Sequence, residues 1–306
     1  MASVDVNSRS PQQPIFWNHL VSWIRAIPRA AILSMVGPSL LCVIGYFGWL
    51  NYGAYNLDMA YYGLKKENIH ITSQPAWLKK TKVLDDVFEK GSLSRLSLMD
   101  VKTPEMLVKF FDAHPAVRKT HRVEKMAGGV VITLEYRTPV AMVQKLDTDA
   151  TGRQKNVFYP IDAESVLLDF QNFSESDVRN FIIINPSGGE VSTNSMQGRP
   201  FGDPRVEAAA RLCSLLLPYR EAAKIAFVNV YSSSQPGKTK WMLEIQTGEL
   251  GSAFKLEHSF LWGSEPGMEG LGEALAAVKL ERFKAAVSDS KQSTGLINLT
   301  GIVPAK

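Results

Sequence analysis

The sequence predicts an α+β protein: an N-terminal transmembrane helix, a small β-α-α-β-β domain, then a mixed β domain with antiparallel strands and two helices. Three observations predict it. Residues 30–50 contain no charge, and the uncharged run continues from Ala30 to Leu57. Residues 67–145 alternate short β-rich segments with two helical ones. Beyond residue 157, period-two alternation recurs around two further helical stretches.

The apolar run comes first. As a helix, residues 30–50 would span about 31 Å, the thickness of a bilayer's hydrocarbon core. The aromatic cluster Tyr46, Phe47, Trp49, Tyr52 and Tyr55 follows, as expected where rings sit at headgroups. Gly37-Pro38 is placed to kink the helix, and Gly45 and Gly48 to admit a close neighbour. The apolar stretch exceeds a signal peptide's core and no A-x-A site follows it at once, so an uncleaved anchor is expected. Arg25 and Arg29 before it mildly favour a cytoplasmic N-terminus. Residues 1–29 read as a cytoplasmic tail. Within it, Phe16, Leu20, Trp23 and Ile27 stand at helical spacing, fitting either an amphipathic surface helix over 15–27 or a lead-in to the span.

Residues 51–66 read as a juxtamembrane linker. Asn68–Thr72 is a short strand, and Val83–Phe88 a helix ending near Gly91. Thr103-Pro104-Glu105 starts a second helix, with Thr as cap, Pro in the first turn and Glu against the dipole. Met106, Leu107, Phe110 and Phe111 give its apolar face, and Pro115 ends it. Strands follow over Val117–Glu124, Val130–Tyr136 and Val140–Val143, the first two joined by a glycine turn.

Residues 146–156 are a polar linker. Asp147-x-Asp149-x-Thr151-Gly152 imitates a calcium loop, but Phe158 stands where a bidentate Glu belongs, and Arg153 and Lys155 intrude. Residues 157–306 hold short strands at Phe158–Asp162, Val166–Leu168 and Phe181–Ile184. A helix opens at Asp203-Pro204. Antiparallel strands are expected over Ile225–Tyr231, Lys240–Gln246 and Ala253–Trp262, a last helix over Met268–Val287, and a closing segment over Gly295–Val303.

Composition excludes several classes. Of 34 basic and 30 acidic residues, residues 1–55 hold Arg9, Arg25, Arg29 and Asp5, so the remainder carries 31 against 29. No basic block tracks a phosphate backbone, so no nucleic-acid partner is expected. Cys42 and Cys213 are too differently placed to pair. The five histidines, His19, His70, His114, His121 and His258, have no metal spacing. His258 alternates with apolar residues and reads as a satisfied core or interface side chain. Gly237-Lys238-Thr239 lacks the upstream glycine of a phosphate loop and reads as a hairpin turn. Gly270-Leu271-Gly272 lacks the third glycine of a dinucleotide fingerprint. No catalytic, cofactor or metal residue, and no small-molecule substrate, is expected.

His114-Pro115-Ala116-Val117, then Arg122-Val123, a glycine turn, and Leu134-Glu135-Tyr136-Arg137-Thr138-Pro139-Val140-Ala141 resemble the POTRA domain of the FtsQ/DivIB family of single-pass bacterial division proteins. Ala116 replaces a common Trp, and Tyr136 separates an acidic-basic pair that is usually adjacent. Tyr159-Pro160-Ile161-Asp162 resembles the opening of that family's β domain, with Ser165 where Gly is usual. Lys279-Leu280-x-x-Phe283 and Ile297-Asn298-Leu299 resemble its closing helix and strand.

The resemblance implies a POTRA domain over 67–145 and a β domain over 157–306. It implies a non-enzymatic division scaffold, anchored in the inner membrane with its bulk outside the cytoplasm and enriched at the division site. It would bind small bitopic coiled-coil proteins of FtsB and FtsL type and help regulate septal peptidoglycan synthesis. The last strand would offer an open edge to a partner strand, through Ile297, Leu299, Ile302 and Val303, helped by Leu280 and Phe283. The alternative class is a membrane-anchored extracytoplasmic enzyme or sensor, which would need a deep pocket with converging polar groups.

Overall fold

The computed structural model describes residues 29–148, 152–188, 191, 196–232, 241–250, 254–289 and 295–301. The expected tail, the amphipathic stretch 15–27 and the turn at 237–239 lie outside them. The chain forms two compact units, Met1–Gly63 and Leu64–Lys306.

In the first unit, α1 (Arg29–Gly48) gives way to a π-helical turn (Trp49–Gly53) and then α2 (Ala54–Tyr62). Among the described residues no helix is long and apolar enough to cross a membrane, which overturns the transmembrane helix expected over 30–50. The apolar run is not one regular helix. Pro38 sits inside α1 and offers no N–H to the ladder. Regular winding stops at Gly48, where the Asn51 side-chain amide donates to the Phe47 carbonyl at 2.8 Å.

The second unit is α+β with two mixed sheets. The smaller sheet has the order β1-β3-β2. Here β1 (Ile69–Ile71) runs parallel to β3 (Gly129–Tyr136), and β2 (Val117–Met126) antiparallel to it. Between β1 and β2 lie α3 (Val83–Lys90) and α4 (Thr103–Asp112). Thr103 is the first residue of α4 rather than its cap. Its hydroxyl donates to the Ser97 carbonyl at 2.5 Å. Val83 and Val87 of α3 and Leu107 and Phe111 of α4 recur at helical spacing. They bury against Val130, Ile132 and Leu134 of β3.

The larger sheet has the order β10-β9-β8-β7-β6-β4-β5. Its strands are β4 (Pro139–Thr148), β5 (Gln154–Asp162), β6 (Ile182–Pro186), β7 (Ile225–Ser232), β8 (Trp241–Leu250), β9 (Phe254–Gly263) and β10 (Leu296–Asn298). The strand expected to close the small domain, Val140–Val143, thus belongs to this sheet, between β5 and β6. A one-turn helix, α5 (Glu175–Val178), precedes β6. The long helix α6 (Pro204–Leu216) starts where Asp203 caps it, the carboxylate accepting from Arg205 N–H at 3.0 Å. Val206, Ala209, Ala210 and Cys213 of α6 cover one sheet face, joined by Phe283 and Ala286 of α7 (Ala276–Ser288). That face carries Val228 and Val230 of β7, Leu243 and Ile245 of β8, and Phe260 and Trp262 of β9.

The pairing of β9 with β8 shifts register twice, at Trp262 and at Glu257. Thr247 faces His258 but Gly248 faces Leu256, so Glu257 is an extra residue. This bulge turns Phe254 and Leu256 away from the face that Phe260 occupies. Phe254 packs instead on Phe227, centroids 4.9 Å apart, and Leu256 is exposed.

Two residues, Arg137 and Thr138, carry the chain from one sheet to the other. Arg137 turns from Glu135 to the neighbouring loop, bonding Asp162 at 2.5 Å and Glu164 at 3.2 Å. Arg118 joins Glu135 to Glu164. A second bridge holds residues 77–81. Trp77 stacks on Phe173 with centroids 5.7 Å apart. The Asn172 carbonyl accepts from the N–H groups of Lys80 and Thr81. Lys79 pairs with Asp177 at 2.9 Å.

Candidate functional site

The sheet has one short terminal strand. β10 runs parallel to β9 in the register Leu296↔Ser259, Ile297↔Phe260, Asn298↔Leu261. Its ladder continues one residue further, Leu299 N–H donating to the Leu261 carbonyl at 3.0 Å. Backbone groups alternate along a strand, so those of Leu296 and Asn298 point to the other edge. Among the described residues no strand pairs with that edge. An open edge of this kind accepts a further strand through main-chain hydrogen bonds.

The edge is held from behind. Arg282 of α7 donates to the carbonyls of Leu299, at 2.8 Å, and Gly301. The Asn298 side chain accepts from Thr300 N–H at 2.8 Å and its hydroxyl at 2.7 Å, closing a turn after the strand. Ala274 N–H donates to the Thr300 carbonyl at 3.1 Å.

Beneath this lies a buried ion pair. Lys279, wholly buried, donates to Glu273 Oε1 at 2.6 Å, and its ammonium lies 5.2 Å from the Trp262 ring centre. Glu273 also accepts from Ser264 N–H at 2.8 Å, Ser264 Oγ–H at 2.5 Å and Gly270 N–H at 3.2 Å. Burial pushes the Glu273 carboxyl upward, but Lys279 and these hydrogen bonds outweigh it and hold the group below its usual range. Gly263 must be glycine here. Its φ is 87°, and a Cβ would sit 2.3 Å from Glu273 Oε1 and 2.6 Å from Thr300 Cγ2.

Of the six residues predicted for the edge, Leu299 and Phe283 are core residues, each 1% exposed, with Phe283 edge-on to Phe260. Ile297 and Leu280 are half-buried against the same core. Ile302 and Val303 lie outside the described residues. The chain residues that face outward are Leu296, 60% exposed, and Asn298. Period-two alternation is the signal that could have found them, because Ile297 and Leu299 share a parity. The burial of Lys279 went unread; the signal that could have found it is that 279, 283 and 286 fall on one helical face.

The described residues hold no group of three or more His, Cys, Asp or Glu able to bind a metal. His258 is half-buried rather than satisfied: its Nδ1 has no partner. One cavity of about 220 Å³ opens between α3 and α4, lined by Asp86, Lys90, Gly91, Phe110, His114 and Pro115. His114 Nδ1 accepts from Ala116 N–H at 3.2 Å, so the ring proton is on Nε2, facing Asp86 at 3.5 Å. Burial lowers the His114 pKa despite Asp86. The cavity walls are mostly apolar, and no Ser, Thr, Cys or Tyr lines it.

A scan against protein-family models found no match for the chain, and a search of curated proteins found none either.

Proposed function

We propose that this chain is a non-enzymatic scaffold of the bacterial division complex, of the FtsQ/DivIB kind, whose second unit binds small bitopic proteins of FtsB and FtsL type and so helps regulate septal peptidoglycan synthesis. The observation that carries this is the open, rigidly backed edge of β10 at the C-terminal end of a seven-stranded sheet. In support, the sheet follows a β-α-α-β-β segment bearing the residues of the family resemblance. Enrichment at the division site belongs to the same proposal; a membrane-crossing helix does not.

The test is co-purification of such partners from cells, comparing wild type with Leu296→Pro. Proline at 296 removes an N–H from the open edge and leaves the bonds to β9 in place. Leu299→Pro would not serve, because it removes the Leu261 bond inside the sheet and no group of the open edge. Lost recovery with unchanged thermal unfolding is expected. Equal recovery from both chains refutes strand addition at β10, and a fluorescent fusion spread evenly over the cell envelope refutes the division role.

A further inference from the structure

The loop between β9 and α7, residues 264–275, is built in an unusual way. A loop of twelve residues without secondary structure would ordinarily fold its apolar side chains under itself or have few. This one does the opposite. Leu271 is fully exposed, Leu275 66% and Met268 54% exposed, and Val278, one helical turn beyond Leu275, 39%. Their backbone is nevertheless cross-linked from within. Glu273 gathers Ser264, Gly270 and Lys279. Glu269 accepts from Gly267 N–H at 3.1 Å and from Ala276 N–H at 3.0 Å, which closes the start of α7. Gly267 and Gly272 take φ of 85°, a conformation that costs other residues.

A buried ion pair is a costly way to hold a loop, and a hydrophobic substitute often serves stability as well or better. What the cross-links achieve is a fixed presentation of apolar side chains to solvent. Preorganisation of that sort lowers the ordering cost of binding.

Charge narrows the occupant. Residues 264–275 carry Glu265, Glu269 and Glu273 and no cation. Glu273 is matched by Lys279 and Glu265 by Arg211, at 3.2 Å. Glu269 is held by backbone amides, and among the described residues no cation pairs with it. We propose that this loop and the first turn of α7 form a second docking surface, for a protein segment with an aliphatic face flanked by Lys or Arg that meets Glu269. An anionic lipid surface is disfavoured by the same charge. The proposal does not rest on strand addition at β10.

The test uses the full chain to select from a library of short random peptides, with counter-selection on the double variant Leu271→Ser, Leu275→Ser. These side chains are exposed, so the variant keeps the wild-type fold, checked by unfolding. Expected are peptides with aliphatic residues at i, i+3 or i, i+4 spacing and a flanking Lys or Arg. The best synthetic peptide should bind the double variant about tenfold or more weakly. Glu269→Gln, which keeps its hydrogen-bond acceptor, should weaken binding several-fold and flatten its salt dependence. Leu296→Pro should bind as wild type does, which separates this surface from the strand edge. Peptides that fail to distinguish wild type from the double variant, or no enrichment, overturn the proposal. So does self-association abolished by the double variant, which would make a second copy the occupant, or phosphatidylglycerol-vesicle binding abolished by it, which would make lipid the occupant.

Discussion

Ser165→Gly should stabilise the second unit. Ser165 sits at φ 57°, in the left-handed region, within the turn that links Asp162 to Val166. The turn is over-determined. Ser165 N–H donates to the Asp162 carbonyl at 3.0 Å, Asp162 Oδ1 accepts from the N–H groups of Glu164 and Val166, and the Ser165 carbonyl accepts from Phe201 N–H at 2.9 Å. The residue therefore cannot relax out of that conformation. It is also 1% exposed, and its hydroxyl has no partner.

Two unfavourable contributions meet at one side chain. A left-handed non-glycine residue costs about 1–2 kcal/mol, and an orphaned buried hydroxyl about 1–3 kcal/mol. Against them, glycine loses about 0.5–1 kcal/mol more backbone entropy on folding. The net expectation is a gain of about 1–4 kcal/mol, or about 2–16 °C in Tm for a unit of this size. Denaturant unfolding should show a higher midpoint with an unchanged m-value. Ser165→Ala separates the two contributions, since it removes the hydroxyl and keeps the strained φ; its gain should be smaller. A midpoint for Ser165→Gly at or below wild type, with m unchanged, would refute the reasoning.

Lys279→Met should destabilise by about 3–5 kcal/mol, measured by the same unfolding, because it leaves Glu273 buried beside Trp262 without its cation. Glu273 is held below its usual range in the folded state, so the unfolded state binds more protons at low pH. Its contribution is complete above the ordinary carboxylate range and is lost as pH falls through it; Glu273→Gln should flatten that part of the stability–pH curve. His114 acts in the same direction for a different reason. Burial holds it neutral in the fold, so stability should fall as pH drops below about 6.5 toward its lowered pKa. His114→Gln should lose that slope, and an unchanged slope refutes the assignment. Arg137→Met should cost about 3–5 kcal/mol by stranding Asp162, whose side chain is 5% exposed, and an Asp162→Asn partner change should recover part of it in a double-mutant cycle.

Much of the second unit was legible because its signals are local. The caps and apolar spacings around Asp203-Pro204 and along Val83–Phe88 follow from a few adjacent residues, and both helices form there. Strand identity was legible, but strand partnership was not. Val140–Val143 reads as β from composition, yet nothing in those residues says that a two-residue step after Tyr136 carries them into another sheet. The bulge at Glu257 is equally silent, since one inserted residue looks like ordinary alternation until it is paired with Gly248. The apolar run 30–50 failed differently. Its composition is membrane-like, but the π-helical turn from Trp49 ends the regular helix that composition alone would continue.

The edge strand shows which of its residues a resemblance between side chains picks out. In a three-residue strand backed by a core, the apolar positions that recur in a motif are those that bury, here Ile297 and Leu299 with Phe283 behind them. The proposed strand addition would use the other parity, the backbone of Leu296 and Asn298, where side-chain identity matters least. What the edge does need from the sequence lies elsewhere. Arg282 ties α7 to the carbonyls of Leu299 and Gly301, and Glu273 with Lys279 fixes the loop whose Ala274 N–H meets Thr300. Substitution at Arg282 should therefore free the strand end without touching the open edge. Arg282→Met is expected to raise hydrogen exchange at the Leu299 N–H while amides in β6 and β7 stay protected. Equal protection in both proteins would mean that the edge is held by its ladder to β9 alone.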